Sequence, residues 1–108
     1  LLAGDACGLA NPVTGAGIAS AVVSGRMAGE AAAAIVAGRG AALDDYAEEI
    51  ADLFGPALDR ARRRREGVMA AHAAGRLGPN ELQRSWIAWE SYWSDPLDVE
   101  SPAEGVAA

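Results

Sequence analysis

The sequence predicts a mainly α-helical chain, a short N-terminal strand remnant followed by three to four helices. Three observations predict it. Hydrophobic residues make up 51% of the 108 residues but aromatics only 6%, and alanine, the strongest helix former, supplies much of the difference. Apolar and small residues recur at helical spacing from residue 17 onward. Glycine and proline cluster between these periodic stretches, where they act as terminators.

Leu1-Leu2-Ala3 is an apolar run that stops at Gly4-Asp5, as the end of a buried parallel strand does. Residues 4–16 mix glycines with Asn11 and Pro12 and read as a loop. One helix is expected from Gly17 to about Ala37, with Ile18, Ala21, Val22, Gly25, Ala28, Gly29, Ala32 and Ile35 on a small-sided stripe. Gly25 and Gly29, four apart, would admit another backbone at close range. Gly38-Arg39-Gly40 ends that helix.

A second helix is expected from about Leu43 to Phe54. Its apolar face is Leu43, Tyr46, Ala47, Ile50, Leu53 and Phe54, and Asp44 and Asp45 suit its N-terminus. Gly55-Pro56 marks a break or kink. A third helical stretch follows from about Ala57 to Ala74. Pro79 sits like a first-turn proline, opening a last helix from about Asn80 to Trp93. Residues 94–108, with two prolines and four acids, read as disordered. The division expected is therefore 1–40, 41–93 and a 94–108 tail.

Composition removes several functions. A net charge of −6 argues against non-specific nucleic-acid binding. A lone cysteine, Cys7, excludes an internal disulfide framework and a cysteine-based zinc site, and a lone histidine excludes a histidine-cluster metal site. No run approaches the ~18 continuous apolar residues of a membrane span.

The loop carries the chemistry. A helix N-terminus offers unpaired N–H groups and a partial positive charge. Gly15 and Gly17 remove side chains there, so a planar or anionic group can approach the amides. A carboxylate at the end of a strand, here Asp5, can accept hydrogen bonds from ligand hydroxyls, as acidic residues do on ribose.

Gly4-Asp5-Ala6-Cys7-Gly8, then Asn11-Pro12-Val13-Thr14-Gly15-Ala16-Gly17-Ile18, then Ala21, Ser24-Gly25 and Ala28 resemble the second FAD-binding motif of the geranylgeranyl reductase family. That family belongs to the FAD oxidoreductases related to p-hydroxybenzoate hydroxylase. The resemblance covers about residues 1–38. Cys7 departs from the alanine common at its position and reads as a passive small residue. The resemblance implies that the helices derive from an α/β FAD-binding fold, Rossmann-like and of the glutathione-reductase type. It implies that Asp5 hydrogen-bonds the ribityl chain of FAD and that Gly17 and Ile18 offer amides near the pyrimidine edge. Gly15 and Pro12 would shape the loop beside the ring system, and Gly4 belongs to the same cofactor-contacting set.

The function implied is that of part of an FAD-dependent oxidoreductase reducing isoprenoid double bonds, or a related flavin redox step. The implied partners are the N-terminal part of the same polypeptide, an NAD(P)H or ferredoxin-type electron donor and an isoprenoid or other hydrophobic substrate. The motif starting at residue 4, behind Leu1, reads as the C-terminal piece of a longer cytoplasmic protein that can be peripheral to a membrane. No residue of the chain stands out as a catalytic acid or base. Two alternatives stand beside this reading: an electron-transfer flavoprotein serving quinone or ferredoxin, and a non-enzymatic helical binding module.

Three further features have bland readings. Arg62-Arg63-Arg64-Arg65 with Arg60 reads as a solvated helix face paired with nearby acids; contact with lipid phosphates or another anionic partner is the other reading. Trp86, Trp89 and Trp93, flanked by Ile87 and Tyr92, read as a stripe that docks the last helix onto the body of the protein; an isoprenoid wall or interfacial anchor is the alternative. His72 reads as a surface or helix-end residue.

Overall fold

In the computed structural model, residues 1–94 are described, and the expected tail lies outside them apart from Ser94. A 3-10 turn over Gly4–Cys7 is followed by α1 (Ile18–Val36), α2 (Ala42–Ala73), α3 (Pro79–Ser85) and α4 (Glu90–Ser94). The chain is mainly helical, as the alanine content dictates.

The N-terminal strand remnant is not formed, and no strand occurs among the described residues. Ala3 has extended backbone angles, φ −141° and ψ 163°. An extended segment becomes a strand only when a neighbour pairs with its N–H and C=O groups, and none does so here.

Two compact units divide the chain, Leu1–Arg62 and Arg63–Ala108. The boundary lies inside α2, not at the glycine turn near residue 40. That turn joins α1 and α2 within the first unit. Gly38 N–H donates to Ile35 C=O at 2.9 Å and Arg39 N–H to Ala34 C=O at 3.0 Å, which satisfies two carbonyls in the last turn of α1.

The first unit has a small core of Leu9, Ala31, Tyr46 and Ile50, with Cys7, Met27, Ala28, Phe54 and Leu58 packed against it. Tyr46, Ile50, Phe54 and Leu58 recur every four residues, so α2 buries one narrow row. Leu43 and Leu53, expected on that face, are about half exposed. On α1 the buried residues are Ser24, Ala31 and Ala34. The Ile18–Val22–Gly25–Gly29 stripe lies nearly on the other side of the helix. Ile18 is 86% and Val22 69% exposed, and a Cβ added at Gly25 or Gly29 would meet nothing within 4 Å. The close backbone approach expected at those glycines is thus absent among the described residues.

The break expected at Gly55-Pro56 does not divide α2, which runs for 32 residues with Pro56 inside. Proline removes one helical hydrogen bond and orphans the carbonyl four residues earlier. Both Pro56 and Asp52 are exposed, so water can satisfy that carbonyl and the helix continues.

In the second unit the single helix expected over 80–93 is two. α3 starts at Pro79, and the Glu81 carboxylate accepts from Gly78 N–H at 3.0 Å, an anion at the helix N-terminus. Trp86 then turns extended, φ −107° and ψ 123°, and helix resumes only at Glu90. The aromatic that packs is Tyr92, 2% exposed, whereas Trp86, Trp89 and Trp93 are about half exposed. Tyr92, not the three tryptophans, is thus the aromatic buried within the second unit. Arg64, also buried, donates from Nη2 to Tyr92 C=O and lies 5.4 Å from the centroid of the Tyr92 ring. The arginine run is not one solvated face: Arg64 turns inward, while Arg62 pairs with Asp59 at 3.1 Å in the open. His72 is exposed in the last turn of α2.

Candidate functional site

The turn bearing Asp5 begins with Gly4 at φ +57°, a left-handed conformation that side chains disfavour. A Cβ at Gly4 would also come within 3.1 Å of the Ala21 Cβ on α1. Glycine is thus needed for both angle and space. Gly4 N–H donates to Ser24 Oγ at 2.9 Å, and Ser24 is wholly buried. Leu9 N–H donates to Gly4 C=O at 3.2 Å and Gly8 N–H to Asp5 C=O at 3.0 Å. This closes the turn and sends Leu9 into the core.

Asn11 organises the next segment. Its Oδ1 accepts from Val13 N–H at 2.9 Å and Thr14 N–H at 3.0 Å, the local bonding that makes asparagine a turn former. Its own N–H donates to Ala16 C=O at 2.8 Å, and its carbonyl accepts from Gly15 N–H at 2.8 Å. Thr14 Oγ1 accepts from Ala16 N–H at 3.2 Å. The loop is closed on itself before α1 begins.

The amides left over are those at the start of α1. The first helical turn has no carbonyl four residues earlier in the helix to receive them. Gly17 caps α1 without a side-chain hydrogen bond, and no acidic residue lies in the first turn of the helix itself. The nearby acid comes from the 3-10 turn instead. A Cβ on Gly17 would lie 2.9 Å from Asp5 Oδ1, so the carboxylate stands directly beside the helix N-terminus.

Gly4, Asp5, Gly15, Gly17 and Ile18 line one open hollow of about 400 Å³, with Ala3 and Ala21 completing it. Five of the six residues expected to contact a cofactor are therefore brought together. Pro12, the sixth, does not line the hollow. It sits in the turn that Asn11 closes, half-buried. The hollow combines a carboxylate acceptor, a helix N-terminus with free N–H donors, and a wall of glycine and alanine that keeps it wide. That set suits a ligand with hydroxyls at one point and an electron-rich, planar edge at another.

Sequence reasoning missed two organising residues. Asn11 was legible as an asparagine ahead of a proline, a turn signal. Ser24 carries a weaker signal, a hydroxyl on the helix face that also bears Met27, Ala28 and Ala31.

Cys7 packs against the core beside this turn. Tyr46, in the core itself, donates its hydroxyl hydrogen bond to Leu2 C=O. Burial raises the Tyr46 phenol above its ordinary pKa of 10.0, and the nearby Cys7 adds to the shift.

No protein-family model, curated protein or solved structure matches the chain. The functional reading therefore rests on the residues and their arrangement.

Proposed function

We propose that this chain is part of an FAD-dependent oxidoreductase and forms the ribityl and pyrimidine half of its flavin site. One observation carries the reading: Gly4, Asp5, Gly15, Gly17 and Ile18, named from a motif resemblance, line a single hollow at the N-terminus of α1. The residues present fit the group. The hollow is a cradle kept open by missing side chains: a Cβ at Gly15 would meet nothing within 4 Å, and one at Gly17 would press on Asp5.

Asp5 accepts hydrogen bonds from ribityl hydroxyls. The N–H groups of Gly17 and Ile18 face the pyrimidine edge, where the helix N-terminus favours negative charge. Ala3 and Ala21 leave room for the ligand. FAD, when bound, supplies the hydride or electron transfer; the chain supplies position and electrostatics. The remaining contacts, to adenine and pyrophosphate, fall to an N-terminal dinucleotide-binding part of the same polypeptide. The reaction this supports best is reduction of isoprenoid double bonds with electrons from an NAD(P)H or ferredoxin-type donor. An electron-transfer flavoprotein would use the same half-site, and reductase turnover on an isoprenoid substrate separates the two. No helix among the described residues is long and apolar enough to cross a membrane. A cytoplasmic protein working at the membrane face accords with a hydrophobic substrate.

The test is flavin content. In the full-length polypeptide, Asp5→Ala is expected to lower co-purifying FAD sharply, read from the flavin absorbance per protein. Undiminished flavin in that variant would remove the assignment.

A further inference from the structure

The Asp5 carboxylate is exposed, yet the turn that carries it is held from below by one buried hydroxyl. Ser24 lies on the second turn of α1 and is 0% exposed. Its Oγ–H points to Ser20 C=O at 2.6 Å. A hydroxyl has one proton, so with that proton engaged the oxygen is left as an acceptor. It accepts the N–H of Gly4, at 2.9 Å across twenty residues of sequence. Gly4 immediately precedes Asp5, so this bond acts on the backbone that carries the carboxylate.

We propose that Ser24 is a positioning residue for the flavin half-site: it ties the turn bearing Asp5 to the helix whose N-terminal amides face the same hollow. Through Ser24 the backbone that carries Asp5 is held to the helix that offers the donors of Gly17 and Ile18. The ligand then meets both at a fixed spacing. Without the hydroxyl, Gly4 N–H is buried against a methyl group, and a buried donor with no acceptor drives its segment to move until it finds one. The turn swings and Asp5 leaves its place. This inference rests on the flavin reading above.

The experiment is a double-mutant cycle on the full-length polypeptide, titrating FAD into the apoprotein. Ser24→Ala is expected to weaken FAD binding about tenfold, the loss of one buried hydrogen bond. Ser24→Cys, similar in size but a weaker acceptor, falls between Ser24→Ala and the parent, and serves if Ser24→Ala does not fold. Once Asp5→Ala is present, adding Ser24→Ala costs little more, because the residue being positioned is gone. Hydrogen exchange at the Gly4 amide speeds up in both Ser24 variants. Fully additive losses overturn the proposal, since a role confined to stability does not depend on Asp5. Unchanged FAD binding in Ser24→Ala overturns it too. If Asp5→Ala leaves FAD binding intact, the flavin reading falls by itself. The exchange measurement then decides Ser24 alone: faster Gly4 exchange upholds its grip on the turn, and unchanged exchange refutes it.

Discussion

A Cβ placed on Gly17 would stand 2.9 Å from Asp5 Oδ1. The helix cap and the acidic residue, twelve positions apart in sequence, share one point in space. The atom in the way is the tip of an exposed side chain, which can rotate aside.

Gly17→Ala is therefore expected to separate stability from binding. Gly17 has φ −153° and ψ −3°, outside the left-handed region that glycine alone favours. Glycine caps helices better than alanine, so the fold loses about 1 kcal/mol or less. Flavin content of the full-length polypeptide should fall far more than that stability loss explains, because the carboxylate is displaced from the hollow. A variant that melts near the parent yet co-purifies with little flavin is the expected result; full flavin retention contradicts it.

Ile50→Ala tests the core. Ile50 is 8% exposed and is one of four buried residues in the core of the first unit. Truncating a buried isoleucine costs about 2–5 kcal/mol, a large share of what so small a core can supply. Leu53→Ala, three residues away but 57% exposed, should cost much less. Urea unfolding of the two variants gives the comparison, and similar midpoints would refute the assignment of the buried row.

Two neighbouring arginines should behave differently. Arg64 is buried and donates to the Tyr92 carbonyl, so Arg64→Ala is expected to destabilise by about 2–3 kcal/mol. Arg62 pairs with Asp59 at 3.1 Å with both side chains more than half exposed, and Arg62→Ala should cost about 0.5 kcal/mol or less. Arg64→Lys is expected to recover only part of the loss, because a compact ammonium lacks the guanidinium's planar fork of donors. Thermal melts of the three variants check the order.

Tyr46 sets a limit at high pH. Burial and Cys7 raise its pKa above 10.0 in the folded chain. The folded state therefore holds the phenolic proton more tightly than the unfolded state does. The stability this contributes is intact below pH 10 and is lost as pH rises through the elevated folded value. Tyr46→Phe should be less stable at neutral pH, since the hydrogen bond to Leu2 C=O is gone, but should show a shallower decline above pH 10. Melting temperatures of parent and variant across that range test the sign; parallel curves would contradict it.

The sequence revealed the helical class and the ends of α1 and α2, because local devices decide them. Gly38 and Gly75 each follow a helix end and carry positive φ. The lining of the hollow was also largely readable, since glycines stand out by their missing side chains and Asp5 by its charge. What stayed hidden depends on surroundings. Proline signals a break, but whether Pro56 breaks α2 turns on solvent reaching the freed carbonyl. Residues 80–93 have a composition that suits one helix; the interruption at Trp86 goes with burial of Tyr92 against Arg64, a contact 28 residues apart with no local signature. The three tryptophans share a face only on an unbroken helix. The strand expected over Leu1–Ala3 required a pairing neighbour, which no residue pattern within the segment can supply.

The Asn11 clasp has a kinetic meaning. The N–H groups of Val13, Thr14, Gly15 and Ala16 are all bonded within the loop, so its shape is set during folding rather than upon capture of a guest. Loops that must order around a ligand forfeit affinity to that ordering, and their association slows. On the flavin reading proposed above, a cofactor entering the hollow would meet a finished surface, and the pace of loading would be set by diffusion and the shedding of water.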